Sequence, residues 1–185
     1  GFRKQRNTID QLLRLSDDII KSLANKSCVL GVFIDFEKAY DMIWRNGVLY
    51  KLDALGITGN TFNWIQSFLK GRSIQARVGT TLSDRNEVEN GLPQGSVLSP
   101  LLFLVAINDV PLTSVKHSLF ADDVALWKTG KNIKFMQDVV QKTLNEIHEW
   151  CNLWGFKISV SKSCFVLFKK GRSTPLQLTF NGEDV

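Results

Sequence analysis

The sequence predicts an α+β domain built on an antiparallel sheet with helices behind it. Three observations lead there. Two short apolar runs, Ser118-Leu119-Phe120 and Val124-Ala125-Leu126-Trp127, flank Ala121-Asp122-Asp123 and predict a hairpin. The run Val29-Leu30-Gly31-Val32-Phe33-Ile34 predicts a buried strand followed by a carboxylate, Asp35. Around these runs, apolar residues recur at helical spacing in several longer segments.

Taken in order, the chain opens on a basic stretch with Arg3, Lys4 and Arg6. Ile9, Leu12, Leu13, Ile19, Ile20 and Leu23 then predict a helix capped by Asn7 or Thr8. The strand over 28–34 follows. Val48, Leu49, Leu52 and Leu55 predict a helix stopped by Gly56, and Phe62, Ile65, Phe68 and Leu69 a second stopped by Gly71. Alternation of Ile74, Ala76 and Val78 predicts a strand, with the polar segment 80–90 returning as a hairpin. Gly91 to Ser96 reads as a loop. A helix runs from Leu98 to Asp109, with Pro100 in its first turn, where proline is tolerated.

After the Asp122-Asp123 hairpin, Ile133, Met136, Val140, Leu144, Ile147 and Trp154 predict a long amphipathic helix ended by Gly155. Strands are expected over 156–160 and 164–168. Leu176 to Phe180 is a last strand running into Asn181-Gly182, a hairpin-turn signal whose partner strand would start where the chain stops. With no initiating methionine and this last hairpin cut short, residues 1–185 read as a fragment of a longer protein.

At 44% hydrophobic and 22% charged, the chain can bury a core, which excludes a disordered segment. The net charge of +5 favours a polyanionic partner only mildly. Cys28, Cys151 and Cys164 are an odd number without paired spacing. They argue against a disulfide scaffold or zinc knuckle and fit a reducing, intracellular compartment. Cys28 and Cys164 sit in apolar runs and are expected in the core. No run of 18 apolar residues exists, so no membrane span is expected.

Two adjacent carboxylates at a hairpin tip repel one another, which makes a poor turn for stability. They make a good seat for a divalent cation, which takes anionic oxygens from a rigid support. Asp35, at the end of a separate strand, supplies a third. Strand-ending carboxylates from two segments are what two-metal phosphoryl transfer requires, since its ions sit about 3.5–4 Å apart and need shared ligands. Taken singly, Asp35 also reads as a strand-end cap and Asp122-Asp123 as a solvated turn.

Three motifs in order resemble a known family. FIDFEKAYD (33–41), NGLPQGSVLSPLLF (90–103) and LFADDVALW (119–127) resemble the A, B and C motifs of reverse transcriptases. The opening GFRKQRNTIDQLL (1–13) resembles the segment before the first motif in retrotransposons lacking long terminal repeats, of the jockey-like type. WGFKISVSKSCFVLF (154–168) resembles that group's D motif, with Ser159 where asparagine is common.

The resemblance implies a right-hand polymerase palm with partial fingers, the N-terminal fingers and the C-terminal thumb lying outside residues 1–185. It implies an RNA-directed DNA polymerase acting on an RNA template, a DNA primer and deoxynucleoside triphosphates, with two Mg2+ ions for which Mn2+ can substitute. Localisation would be the nucleus or cytoplasm of a eukaryotic host. Asp35 and Asp122 would bridge the ions, the Phe36 carbonyl would complete one shell, and Asp123 would assist. Tyr40 would pack under the nucleotide sugar, where its bulk disfavours a ribose 2′-hydroxyl. Gln94 would contact the nucleotide, and the backbone at Gly95 would approach the nascent pair. Lys162 would protonate the leaving pyrophosphate or steady the triphosphate. Arg3, Lys4 and Arg6 would meet nucleic-acid backbone independently of sequence.

Other readings of the same residues stand beside these. Tyr40 also reads as a core tyrosine, Gly91 to Gly95 as a plain Pro-Gly turn, and Lys162 as a solvated lysine. Asp41 reads as a helix cap or a local ion-pair partner, and Ser96 and Ser99 as N-caps. A reverse-transcriptase-like remnant without activity, or a nucleic-acid-binding module, is the main alternative function. A metal-dependent phosphohydrolase is disfavoured, because no histidine is placed to activate water.

Overall fold

The computed structural model describes residues 7–172 and 174–185; Arg3, Lys4 and Arg6 lie outside the described residues. The chain divides into two compact units, Gly1–Glu37 with Val110–Val185, and Lys38–Asp109.

The first unit is built on a four-stranded antiparallel sheet. Its strands are β1 (Cys28–Asp35), β6 (Lys116–Phe120), β7 (Asp123–Gly130) and β8 (Cys164–Phe168), in the order β6-β7-β1-β8. The uninterrupted apolar run makes β1 an interior strand: Val29, Leu30 and Val32 are wholly buried. Helix α6 (Ile133–Trp154) packs on β1 and β7 through Met136, Val140, Leu144 and Ile147, all buried. Asn132 caps its start by accepting from the Phe135 amide, and left-handed Gly155 ends it as expected.

Helix α1 (Thr8–Ala24) starts at Asn7 in a capping box with Asp10. It meets the sheet differently from expectation. Asp18 accepts from the Trp127 indole at 2.7 Å and from Lys116 at 2.6 Å, and Gln11 accepts from the Ser118 hydroxyl at 3.0 Å. The sheet offers polar groups at these points, so a polar seam of the helix turns inward. Ile9, Leu12, Leu13 and Ile20 of the expected apolar stripe are 62–67% exposed.

Two further expectations are corrected in this unit. Residues 156–160 form no strand. Ile158 makes a single bridge with Phe36, and a 3-10 turn, Val160–Lys162, follows. Local bonding by serine competes with the ladder, because the Ser163 hydroxyl donates to the Ser159 carbonyl at 2.8 Å. Cys164 is exposed rather than buried, since it opens β8 at an edge of the sheet. Cys28 and Cys151 are buried, and burial pushes the Cys151 thiol up to about 12, so it stays protonated. The last hairpin closes within the chain, β9 (Thr179–Phe180) pairing with β10 (Glu183–Asp184).

The second unit packs α3 (Arg45–Ala54) against α4 (Gly59–Leu69) and α5 (Ser99–Ile107), after the single turn α2 (Ala39–Met42). Val48, Leu49, Leu52, Ile65, Leu69, Leu102 and Phe103 are buried. Lys51 is buried too, and its ammonium donates to the Ala106 carbonyl and the Asp109 carboxylate at the end of α5. The expected hairpin over 74–90 is broken into two short ladders, β2 (Ser73–Ile74) with β5 (Asn86–Glu87) and β3 (Arg77–Val78) with β4 (Thr81–Leu82). Between them the Ala76 amide bonds the Ser83 hydroxyl, where a ladder would have used a backbone carbonyl.

Candidate active site

Asp35 is the last residue of β1, and its partner across the sheet is Asp123, the first residue of β7. Paired residues of antiparallel strands point to one face, so the two carboxylates share a face with Phe33 and Ala125. Asp35 gives both backbone groups to the opposite side. Its amide donates to the Ser163 hydroxyl at 3.2 Å, and its carbonyl accepts from the Ser159 amide at 2.9 Å. Its pairing with Asp123 is therefore of the non-hydrogen-bonded kind, where Cα atoms approach to about 4.5 Å and side chains are closest.

Asp122 stands in the turn rather than on the adjacent strand. Phe120 pairs with Asp123, so Ala121 and Asp122 form a two-residue loop. Such loops need a positive φ at the first position, and Ala121 adopts φ +54° without being glycine. Asp123 feels both neighbours. The Asp123 carboxyl is raised above the ordinary aspartate value, first by burial and then by the charges of Asp122 and Asp35. Among the described residues, no three metal-ligating side chains stand close enough to hold an ion as they are placed.

The segment after Gly155 frames this group. Phe36 is buried, its ring 5.4 Å from Phe156 and 6.4 Å from Trp150. The flanking bonds, Ser159 amide to Asp35 carbonyl and Glu37 amide to Lys157 carbonyl, leave the Phe36 carbonyl on the side of β7. Lys162 brings its ammonium to 3.8 Å from the Asp35 carboxylate, with its side chain 73% exposed. Ser163 was not marked by the sequence. Buried, its hydroxyl receives the Asp35 amide and donates to Ser159, and the only hint was a serine at every second position, 159, 161 and 163.

In the second unit, the loop Gly91 to Gln94 lies on α2. The Gly91 amide donates to the Ile43 carbonyl and the Leu92 amide to the Tyr40 carbonyl, both at 2.8 Å. Gly91 is obligatory there: its φ is +83°, and a Cβ would come within 2.7 Å of the Asp41 carbonyl oxygen. Gln94 donates its amide to Asp41 at 2.9 Å. Among the described residues Asp41 forms no ion pair, and no side chain caps α3. The Tyr40 ring stacks on Phe103, centroids 4.5 Å apart. Ser99 fastens the far end by donating to the Pro93 carbonyl at 2.6 Å, and Ser96 accepts from the Leu98 amide.

Arg45 is the second residue the sequence did not reveal. Its buried guanidinium donates to three carbonyls, those of Gly91, Leu69 and Val88. A charged residue is not expected inside. The available signal was its place one turn before Val48 and Leu49 on the buried face of α3.

An antiparallel sheet carrying carboxylates at neighbouring strand ends belongs to the polymerase palm class. The chain is a member of the family described as reverse transcriptase (RNA-dependent DNA polymerase), whose profile matches residues 1–182. Among curated relatives, the RNA-directed DNA polymerase from the mobile element jockey of Drosophila melanogaster is 30% identical over 98% of this chain and 21% of its own length. A probable RNA-directed DNA polymerase from transposon X-element of the same species is 31% identical over 95% of this chain and 20% of its own length. The chain thus spans about a fifth of these relatives. Among solved structures, an apo telomerase from Candida tropicalis aligns with a TM-score of 0.66 at 14% identity, over 99% of this chain and 38% of that one. That likeness establishes the fold. Among the described residues, no helix is long and apolar enough to cross a membrane.

Proposed function

We propose that this domain performs RNA-templated DNA synthesis, joining a deoxynucleotide to a primer 3′-hydroxyl. The observation that carries the reading is the register: Asp35 and Asp123 face each other across two strands, with Asp122 in the adjoining turn. Like charges opposite each other cost stability in a sheet. Burial first, and then the charges of Asp122 and Asp35, raise the Asp123 carboxyl, and a bound cation would favour its ionised form.

The donor set is all hard oxygen, which suits Mg2+, with Mn2+ as a substitute. Asp35 and Asp122 would hold the ions, with Asp123 and the Phe36 carbonyl assisting. When bound, two such ions lower the pKa of the attacking hydroxyl and neutralise charge on the triphosphate and its leaving pyrophosphate. Lys162 then holds a proton for the leaving group, since its ammonium already lies beside Asp35. Tyr40 limits the room at the sugar, its ring fixed by Phe103. Gln94 contacts the nucleotide from a loop whose backbone is held by α2, and Gly95 leaves room for the nascent pair. Arg3, Lys4 and Arg6 would contact template or primer phosphates.

The test is deoxynucleotide incorporation on an RNA template with a DNA primer, in the complete polypeptide that carries this domain. Synthesis should require Mg2+ or Mn2+ and should be lost in Asp35→Asn. Tyr40→Ala should raise the kcat/KM for ribonucleotides relative to deoxynucleotides. Metal-independent incorporation, or an unchanged sugar ratio, would remove the corresponding assignment.

A further inference from the structure

We infer that Asp41 is a positioning residue that sets which face of the Gln94 amide meets the nucleotide. The inference rests on the proposed role of Gln94.

A free glutamine amide at a loop tip can turn over, exchanging its carbonyl oxygen for its NH2 group. The two faces have opposite hydrogen-bonding character. A carboxylate only accepts, so a glutamine held against one must present nitrogen to it. Here Gln94 Nε2 lies 2.9 Å from Asp41 Oδ1. Its carbonyl oxygen and second N–H then remain for a ligand.

The backbone leaves little other freedom. Two amide-to-carbonyl bonds sew Gly91 and Leu92 to Ile43 and Tyr40 on either side of Asp41. Gly91 sits directly on the Asp41 carbonyl, where no Cβ fits, and Arg45 holds the Gly91 carbonyl from beneath at 2.6 Å. Ser99 pins Pro93. What remains to be fixed is the Gln94 side chain, and Asp41 fixes it. Both side chains are exposed, so a ligand can reach the amide.

A double-mutant cycle in the complete polypeptide tests this, reading KM for the deoxynucleotide and kcat separately. Asp41→Ala should raise KM by about 3- to 10-fold, the range of one hydrogen bond, with kcat changed less. Asp41→Asn keeps an acceptor oxygen but adds a donor that can hold the other face of the amide, so it should recover only part of the loss. In a Gln94→Ala background, Asp41→Ala should add almost nothing. An Asp41→Ala effect that persists undiminished in that background overturns the inference, because Asp41 then acts through something else. So does an unchanged KM in Asp41→Ala beside a raised KM in Gln94→Ala, which leaves the role of Gln94 standing. If Gln94→Ala itself leaves KM unchanged, the nucleotide role of Gln94 fails first and the inference falls with it. Should Asp41→Ala not fold, Asp41→Leu and Asp41→Asn carry the same comparison: equal KM values in the two would overturn it.

Discussion

Asp35 and Gln94 are both placed with little freedom, but by different means. Asp35 belongs to a strand buried on both faces, and its position follows from the register of a sheet with an apolar interior. Gln94 is at the tip of a loop with no ladder of its own, and its position follows from a few polar bonds to α2, α3 and α5. Register is shared among many residues, so single substitutions in the sheet leave geometry intact and change chemistry. The loop has no such reserve. Loss of one donor there moves the group it was holding.

The largest expected effect tests the sheet side of this contrast. Asp35→Asn and Asp122→Asn should each lower kcat by several orders of magnitude while leaving the unfolding midpoint nearly unchanged. The double variant should be little worse than either single one, because charges serving one centre act as a unit. Near-normal turnover in either variant would take that carboxylate out of the centre.

The next tests the loop side. Arg45→Met removes the donors to two buried carbonyls and one half-buried one, and urea unfolding of the 185-residue chain should show a loss of about 2–4 kcal/mol. Gly91→Ala combines a forbidden φ with a backbone clash and should cost about 1–3 kcal/mol. If both variants are as stable as the parent, the loop does not depend on these bonds and the contrast collapses.

The smallest effect sharpens the electrostatics. The Asp123 carboxyl is raised, so in the fold it keeps its proton to a higher pH than in the unfolded chain. Folding therefore loses stability as pH rises through that range, and the full cost is present at neutrality. Asp123→Asn should stabilise the chain at pH 7 by less than about 1 kcal/mol, since Asp123 is exposed and screened. The gain should vanish below the ordinary aspartate range, where both proteins are neutral at that position. Thermal unfolding at pH 7 and in acid reads both arms.

Much of the sheet unit was legible because its signals are local. The apolar run before Asp35 and the two runs around Asp122-Asp123 announce their strands without knowledge of the rest. Which aspartate lies opposite Asp35 was not legible, because register is a long-range property that local periodicity does not carry. The failure over 156–160 has a similar source. Alternation there suits a strand, but the hydroxyls of Ser159 and Ser163 take the segment into local bonds. In the loop unit, Gly91 and Gln94 were conspicuous as residues, whereas what holds them was not. Arg45 reads as a surface charge until its three carbonyls are seen, and nothing in the sequence joins Asp41 to Gln94. For α1, periodicity marked the helix, but four of the six apolar residues that marked it stand exposed, while Asp18 and Gln11 find polar partners on the sheet.

The double attachment of Asp35 to the segment 159–163 has a mechanical meaning. The peptide groups of Asp35 are tied to the same short turn that carries Lys162, through the Ser163 hydroxyl and the Ser159 amide. The carboxylate and the lysine are thus two points on one lever. A displacement of the turn would be transmitted to the strand end through these two bonds. The amide hydrogens of Asp35 and Ser159 should accordingly exchange with solvent at matched rates, opening together as one small cooperative piece.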